Sequence, residues 1–163
     1  MIKLEKVICL HIKNQIDAGA NVIQIFDSWA GLLPKNELNY FCYEPTSNIV
    51  KFVKSQKIPV ICFPRGIKEN YFDYCNEVKP DCISIDYEID PMWVKKEIKD
   101  IVIQGGLDPK ILLQDEDLIK KEVSKYLEIF RGQPYIFNLG HGVLPETNPE
   151  KIKFVVKLVR ENK

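Results

Sequence analysis

PYIFNLGHGVLPETNPE, residues 134–150, carries the signals of a strand, a sharp break and a helix start in immediate succession. Tyr135-Ile136-Phe137-Asn138 is a short aromatic and β-branched run, the composition of a buried strand. Gly140-His141-Gly142 ends it, and two glycines allow a turn that other residues would make under strain. Thr147-Asn148-Pro149-Glu150 then opens a helix. Either Asn148 caps it with Pro149 at the first helical position, or Thr147 and Glu150 form a capping box. A histidine therefore sits in a glycine-flanked loop between the carboxyl end of a strand and a helix, where α/β proteins bind ligands.

The same unit recurs along the rest of the chain. Leu4, Val7, Ile8 and Ile12 repeat at helical spacing, and Gly19 supplies a C-cap. His11 lies on or beside that stripe and reads as a packed or surface histidine rather than a ligand. The patterning predicts strands over residues 22–26, 59–63, 82–85, 101–104 and 135–138. Helices are predicted through Ile49, Phe52 and Val53, through Tyr71 and Tyr74, and briefly at Val94 and Ile98. A long helix follows at Ile119, Val123, Leu127 and Phe130. Ile152, Val155, Val156 and Val159 give the i, i+3, i+4, i+7 stripe of a closing helix. Five alternations with no hairpin signal mean βα units and a parallel sheet buried on both faces. A doubly wound sheet and a barrel both fit this pattern. No G-x-G-x-x-G follows the first strand, which weakens the dinucleotide-binding version.

At 163 residues the chain is expected to be a single domain over residues 1–163. A 45% hydrophobic, 28% charged composition excludes a disordered chain or a disulfide scaffold. Lys plus Arg and Asp plus Glu are both 23, so the net charge of zero removes the electrostatic case for nucleic acid or an anionic membrane as partner. No apolar run reaches the ~20 residues of a membrane span, and Met1-Ile2-Lys3-Leu4-Glu5 does not start a signal peptide. Five cysteines without a C-x-x-C pair read as reduced thiols in a cytoplasmic protein, and two histidines with scattered cysteines offer no zinc-ligand spacing.

The strands end in Asp27-Ser28, Arg65-Gly66, Asp86-Tyr87, Gly105 to Asp108 and Gly140-His141, which in a parallel sheet would line one mouth. Asp27 and Ser28 either position a ligand or cap a turn. His141 can donate to an anionic substrate or shuttle a proton near neutral pH, and its bland reading is a loop histidine bonded to a carbonyl. Arg65 can fork onto a substrate carboxylate or pair with an acidic neighbour. Asp86, Glu88 and Asp90 could gather a hard cation, but Asp90 before Pro91 reads better as a helix N-cap. There is no Ser-His-Asp order and no nucleophile elbow.

Asn138-Leu139-Gly140-His141-Gly142-Val143-Leu144-Pro145, followed by Thr147-Asn148-Pro149-Glu150, resembles the signature near the C-terminus of the uroporphyrinogen decarboxylase family. Ala18-Gly19-Ala20 through Val22 to Gly31 resembles the segment carrying one of the family's substrate-contacting serines. Asp81 to Asp86 and Gln104-Gly105-Gly106-Leu107-Asp108-Pro109 resemble two later strand ends, although the family more often has Asn where Gly106 stands. Block spacing also agrees, so the resemblance covers essentially the whole chain.

The resemblance implies a TIM barrel that removes carbon dioxide from four acetate side chains of uroporphyrinogen to give coproporphyrinogen in haem synthesis, with no metal or organic cofactor. It places this chain at about barrel strands four to eight: a partial TIM barrel of five parallel βα units, the N-terminal units missing. A full barrel typically takes ~250 residues. By residue matching, Ser28 and His141 carry over as substrate-binding residues, with Asp27, Arg65 and Asp86 as a possible site rim. The arginine-rich loop that clamps substrate carboxylates, the aspartate facing the pyrrole N–H groups and a substrate-contacting tyrosine have no counterpart, so no catalytic residue is assigned. Implied partners are the porphyrinogen, a second copy as in the full enzyme, and a separate N-terminal half. A fragment inactive alone, half of a split enzyme, and a non-catalytic binding or assembly module remain open. A corrinoid- or zinc-dependent methyltransferase of the same superfamily would need His-x-Cys where His141-Gly142-Val143 stands.

Overall fold

The first helix, α1 (Ile2–Asp17), stops where Gly19 takes φ +103°, its N–H donating to Ile16 O at 2.9 Å while Ala20 N–H donates to Gln15 O at 3.0 Å. That reciprocal pair satisfies carbonyls which the helix end would otherwise leave without partners. The computed structural model describes residues 1–162. They form two compact units, residues 1–83 and residues 84–162.

In the first unit α1 is followed by β1 (Ile23–Asp27), the short helix α2 (Lys35–Leu38) and a wide π turn over Asn39–Tyr43. Next come α3 (Glu44–Ser55), β2 (Val60–Pro64), α4 (Tyr71–Val78) and the start of β3 (Cys82–Ile85). β1 and β2 pair in parallel from Ile23↔Val60 to Asp27↔Pro64, and β2 pairs β3 through Ile61↔Cys82 and Cys62↔Ile83. Register puts Ile23 and Ile25 on the face of Val60 and Cys62. Val53, Val60 and Cys62 are wholly buried, and each such valine is worth about 1.5–3 kcal/mol over leaving it exposed.

The second unit holds α5 (Pro91–Glu97), β4 (Val102–Gly105), α6 (Glu116–Ile129), β5 (Tyr135–Ile136) and α7 (Pro149–Glu161). Asp90 caps α5 by accepting from Met92 N–H at 3.0 Å, and Asn148 caps α7 by accepting from Glu150 N–H at 3.0 Å. Of the two expected ways to start α7, the Asn148 cap is the one formed. Strand order is β1-β2-β3-β4-β5 with parallel registers, so the order never reverses as a doubly wound sheet requires.

β5 is shorter than expected. The β4–β5 register runs Ile103↔Tyr135 and Gln104↔Ile136, lapses, and resumes at the bridge Leu107↔Leu139. The lapse falls at Gly105 and Gly106, whose φ angles of +87° and +107° turn their carbonyls out of the ladder.

Four of the five cysteines lie in the first unit's interior around α3, α4 and their strands. Burial pushes the thiols of Cys62, Cys75 and Cys82 up from 9.0 to about 12, and for Cys62 the donating Tyr74 hydroxyl offsets part of that rise. Thiols that stay protonated in the folded chain but ionise near pH 9 on unfolding contribute stability that is full below pH 9. It is lost as pH rises from 9 towards 12, since the unfolded chain then binds fewer protons. Urea midpoints should be level from pH 7 to 8.5 and fall above 9, each thiol adding up to about 1.4 kcal/mol per pH unit. Cys75→Ala should make that fall shallower; an unchanged slope would refute the assignment to thiols.

Candidate functional site

In the first unit the ends of β1 and β2 are knitted together. Arg65 N–H donates to Asp27 O at 3.0 Å, and Gly31 N–H donates to Arg65 O at 2.9 Å. Gly31 lies so close to Gly66 that a Cβ there would stand 2.6 Å from the Gly66 carbonyl carbon. Ser28 follows Asp27 in the turn leaving β1 and is half-buried, as are Asp27 and Arg65. The Asp27 side chain faces inward: Cys42, presented by the π turn, is buried and hydrogen-bonded to its carboxylate. Burial first, and the Asp27 charge second, push the Cys42 thiol well up. The donor is therefore a neutral S–H, and Asp27 is tied to the scaffold beside Ser28. Neither the turn-cap reading nor the ligand reading of Asp27 anticipated this thiol, because nothing in the local pattern distinguishes Cys42 from a packing cysteine.

In the second unit Asp86 follows β3 directly and is 1% exposed. Its Oδ1 accepts from Glu88 N–H at 2.9 Å, so it closes a tight turn. With Asp90 committed to its cap, two of the three carboxylates, Asp86 and Asp90, accept from backbone N–H groups. Among the described residues no group of three His, Cys, Asp or Glu is gathered as a metal shell requires. One buried polar pair lies just below this rim: Gln104 Nε2 donates to Ser84 Oγ at 3.2 Å.

His141 is exposed and follows Gly140, which is buried. Gly140 N–H donates to Leu107 O at 2.7 Å. A Cβ on Gly140 would run into Tyr87 N and lie 2.8 Å from the Asp86 carbonyl carbon. Neither Gly140 nor Gly142 has a positive φ, so backbone freedom is not why glycine stands here. Gly140 permits close approach to the end of β3, and that contact sets where His141 begins. Each unit thus joins one of the two residues expected to bind substrate to its expected rim neighbours: Ser28 to Asp27 and Arg65, and His141, through Gly140, to Asp86.

A separate cleft of about 410 Å³ lies beyond β3 and β4, walled by Tyr87, Glu88, Asp90, Asp108, Glu122, Lys125 and Tyr126. Burial, then Glu122, Asp108, Asp90 and Asp86, raises the Tyr126 hydroxyl to about 12. With four carboxylates against one lysine on its walls, this cleft repels an anionic ligand.

A model of the uroporphyrinogen decarboxylase (URO-D) family matches residues 1–162. The uroporphyrinogen decarboxylase of Rickettsia bellii (strain RML369-C) is 46% identical over 153 residues, covering 93% of this chain and 45% of the relative. That of Orientia tsutsugamushi (strain Ikeda) is 43% identical, covering 92% and 45%. The chain thus spans less than half the length of these curated relatives. Among solved structures, one from Listeria monocytogenes described as a vitamin-B12-independent methionine synthase superposes with a TM-score of 0.63 at 19% identity, covering 97% of this chain and 53% of that one. An archaeal fructose 1,6-bisphosphate aldolase gives 0.57 at 20%, covering 91% and 60%. At such identities the likeness is one of fold, and both are TIM-barrel-like.

Proposed function

The chain belongs to the uroporphyrinogen decarboxylase family, and from that premise we propose that it supplies the C-terminal βα units, as one domain, of a barrel that converts uroporphyrinogen to coproporphyrinogen and carbon dioxide. The observation carrying this reading is identity of 40–46% to enzymes of that name over more than nine-tenths of the chain. The chemistry protonates a pyrrole, and the ring cation then takes up the electrons of the breaking C–C bond as carbon dioxide leaves. A preorganised carboxylate facing the ring nitrogens would hold that cation, and such electrostatic stabilisation usually lowers a barrier more than any other single effect. Asp27 and Asp86 are occupied by Cys42 and Glu88 N–H, which supports leaving that role to a group outside these residues.

Ser28 and His141 are proposed as substrate contacts, with Arg65 as a rim cation for the carboxylates of a highly anionic substrate. Among the described residues no helix is long and apolar enough to cross a membrane, and the cytoplasm is the proposed location. A homodimer of the completed barrel is the proposed assembly. In a completed barrel, Ser28→Ala and His141→Ala should each raise KM by roughly 10-fold or more, the value of a hydrogen bond to a charged group, with a smaller change in kcat. Steady-state assay of coproporphyrinogen checks this. A kcat collapse at constant KM would move the residue into the chemical step and overturn the binding role. A chain that supports no decarboxylation with any N-terminal complement favours the second reading, a binding or assembly module, for which the exposed apolar residues near β1 speak.

A further inference from the structure

We propose that Tyr126 and Tyr135 are positioning residues for His141, acting by holding the two consecutive carbonyls of Gly105 and Gly106 at the end of β4. Tyr126 on α6 donates its hydroxyl to Gly106 O at 2.6 Å, and Tyr135 on β5 donates to Gly105 O at 2.9 Å. Two adjacent glycines with φ of +87° and +107° have many backbone alternatives of similar energy. Something outside the segment must therefore select one, and these hydroxyls take the carbonyls that the ladder has released. Phe130 holds both rings in place, stacking on Tyr135 at 4.4 Å between centroids and lying 6.4 Å from Tyr126. A Cβ on Gly106 would come within 2.7 Å of the Tyr126 ring, so ring and peptide fill one another's space.

The consequence passes on through backbone. The turn at Gly105-Gly106 sets Leu107, Leu107 O receives Gly140 N–H at 2.7 Å, and His141 is the next residue. Tyr135 also begins the strand that runs on into the His141 loop. Neither hydroxyl gives up its proton readily: burial raises both, and the neighbouring Glu122, Asp108, Asp90 and Asp86 add to the rise of Tyr126 to about 12. They work as fixed donors. The inference takes from the proposed function only that His141 meets the substrate.

Selective labelling makes the test clean, since the chain has eight glycines and two histidines. His11, on α1 in the other unit, is an internal reference. The protein is used in whichever assembly keeps it in solution, alone or with its N-terminal complement. In Tyr126→Phe and Tyr135→Phe, which remove only the hydroxyl, the Gly140 amide should exchange ~10-fold faster, the loss of one buried hydrogen bond. The His141 ring cross-peak should move by more than its linewidth while that of His11 stays. Equal acceleration at Gly140 and at Val123 in α6, with His141 unmoved, would show that the hydroxyls merely stabilise and would overturn the proposal. In the unsubstituted protein both hydroxyl protons should exchange slowly enough to be seen; exchange at the solvent rate overturns it without any variant. In a reconstituted enzyme both variants should raise KM and add nothing further on a His141→Ala background. If His141→Ala itself leaves KM unchanged, the substrate reading fails while the spectroscopic result still decides the positioning role.

Discussion

Uroporphyrinogen supplied to this 163-residue chain alone should yield coproporphyrinogen at less than ~10⁻³ of the rate reached when the N-terminal barrel units are added in trans. Losing one preorganised group already costs ~10²–10³, and the five βα units carry neither the arginine clamp nor the carboxylate that the family resemblance assigns to the reaction. An eight-stranded barrel also encloses its site by closing on itself, which five strands cannot do. The surface around β1 points the same way. Within its unit β1 is paired on one side, to β2, and Phe26, Trp29 and Leu32 around its end are 67%, 72% and 76% exposed. Ile2, Leu4, Val7 and Leu10 are exposed along α1. An open strand edge beside apolar surface recruits another strand. The purified chain should therefore self-associate, or form a stoichiometric complex with an N-terminal half, as read by light scattering. A monodisperse monomer with full activity would sink the partial-barrel reading, and activity only on mixing would establish that two halves suffice.

The two glycines beside His141 should behave in opposite ways. Gly140→Ala places a methyl against the Asp86–Tyr87 peptide, with the Asp86 carbonyl carbon at 2.8 Å. Backbone cannot swing aside as a side-chain tip can, so the cost belongs at or above the ~1–3 kcal/mol of an overpacked core. A domain of this size should lose roughly 2–4 °C in Tm per kcal/mol. The Gly140–Leu107 hydrogen bond should go with it, and with that the placement of His141, so KM in a completed barrel should rise at least as far as in His141→Ala. Gly142→Ala meets nothing within 4 Å and needs no positive φ, so Tm and KM should stay within error or Tm rise slightly. Thermal melts of the two variants side by side decide the matter; equal losses would show that the loop needs glycine for its backbone angles and not for the contact with β3.

What could be read from residue order is what acts within a few positions of the chain. The alternation of β-branched runs with 3.6-residue stripes predicted five βα units, and the third strand falls where expected, Cys82–Ile85. The caps at Asp90 and Asn148 were legible for the same reason, since a side chain that caps reaches N–H groups two or three residues on. Ser28 and His141 were expected as substrate contacts through a family resemblance in short blocks; Ser28 directly follows β1, whereas His141 lies five residues beyond the end of β5. Other features depend on residues brought together from distant parts of the chain. The Cys42 thiol on Asp27, the Asp86–Tyr87 peptide against Gly140, and the Tyr126 and Tyr135 hydroxyls on Gly106 and Gly105, 20 and 30 residues away, carry no local signal. Gly140 shows the division best. Its neighbours in the chain suggested backbone freedom, whereas its actual requirement is set by Tyr87, which only strand pairing and packing bring to its side.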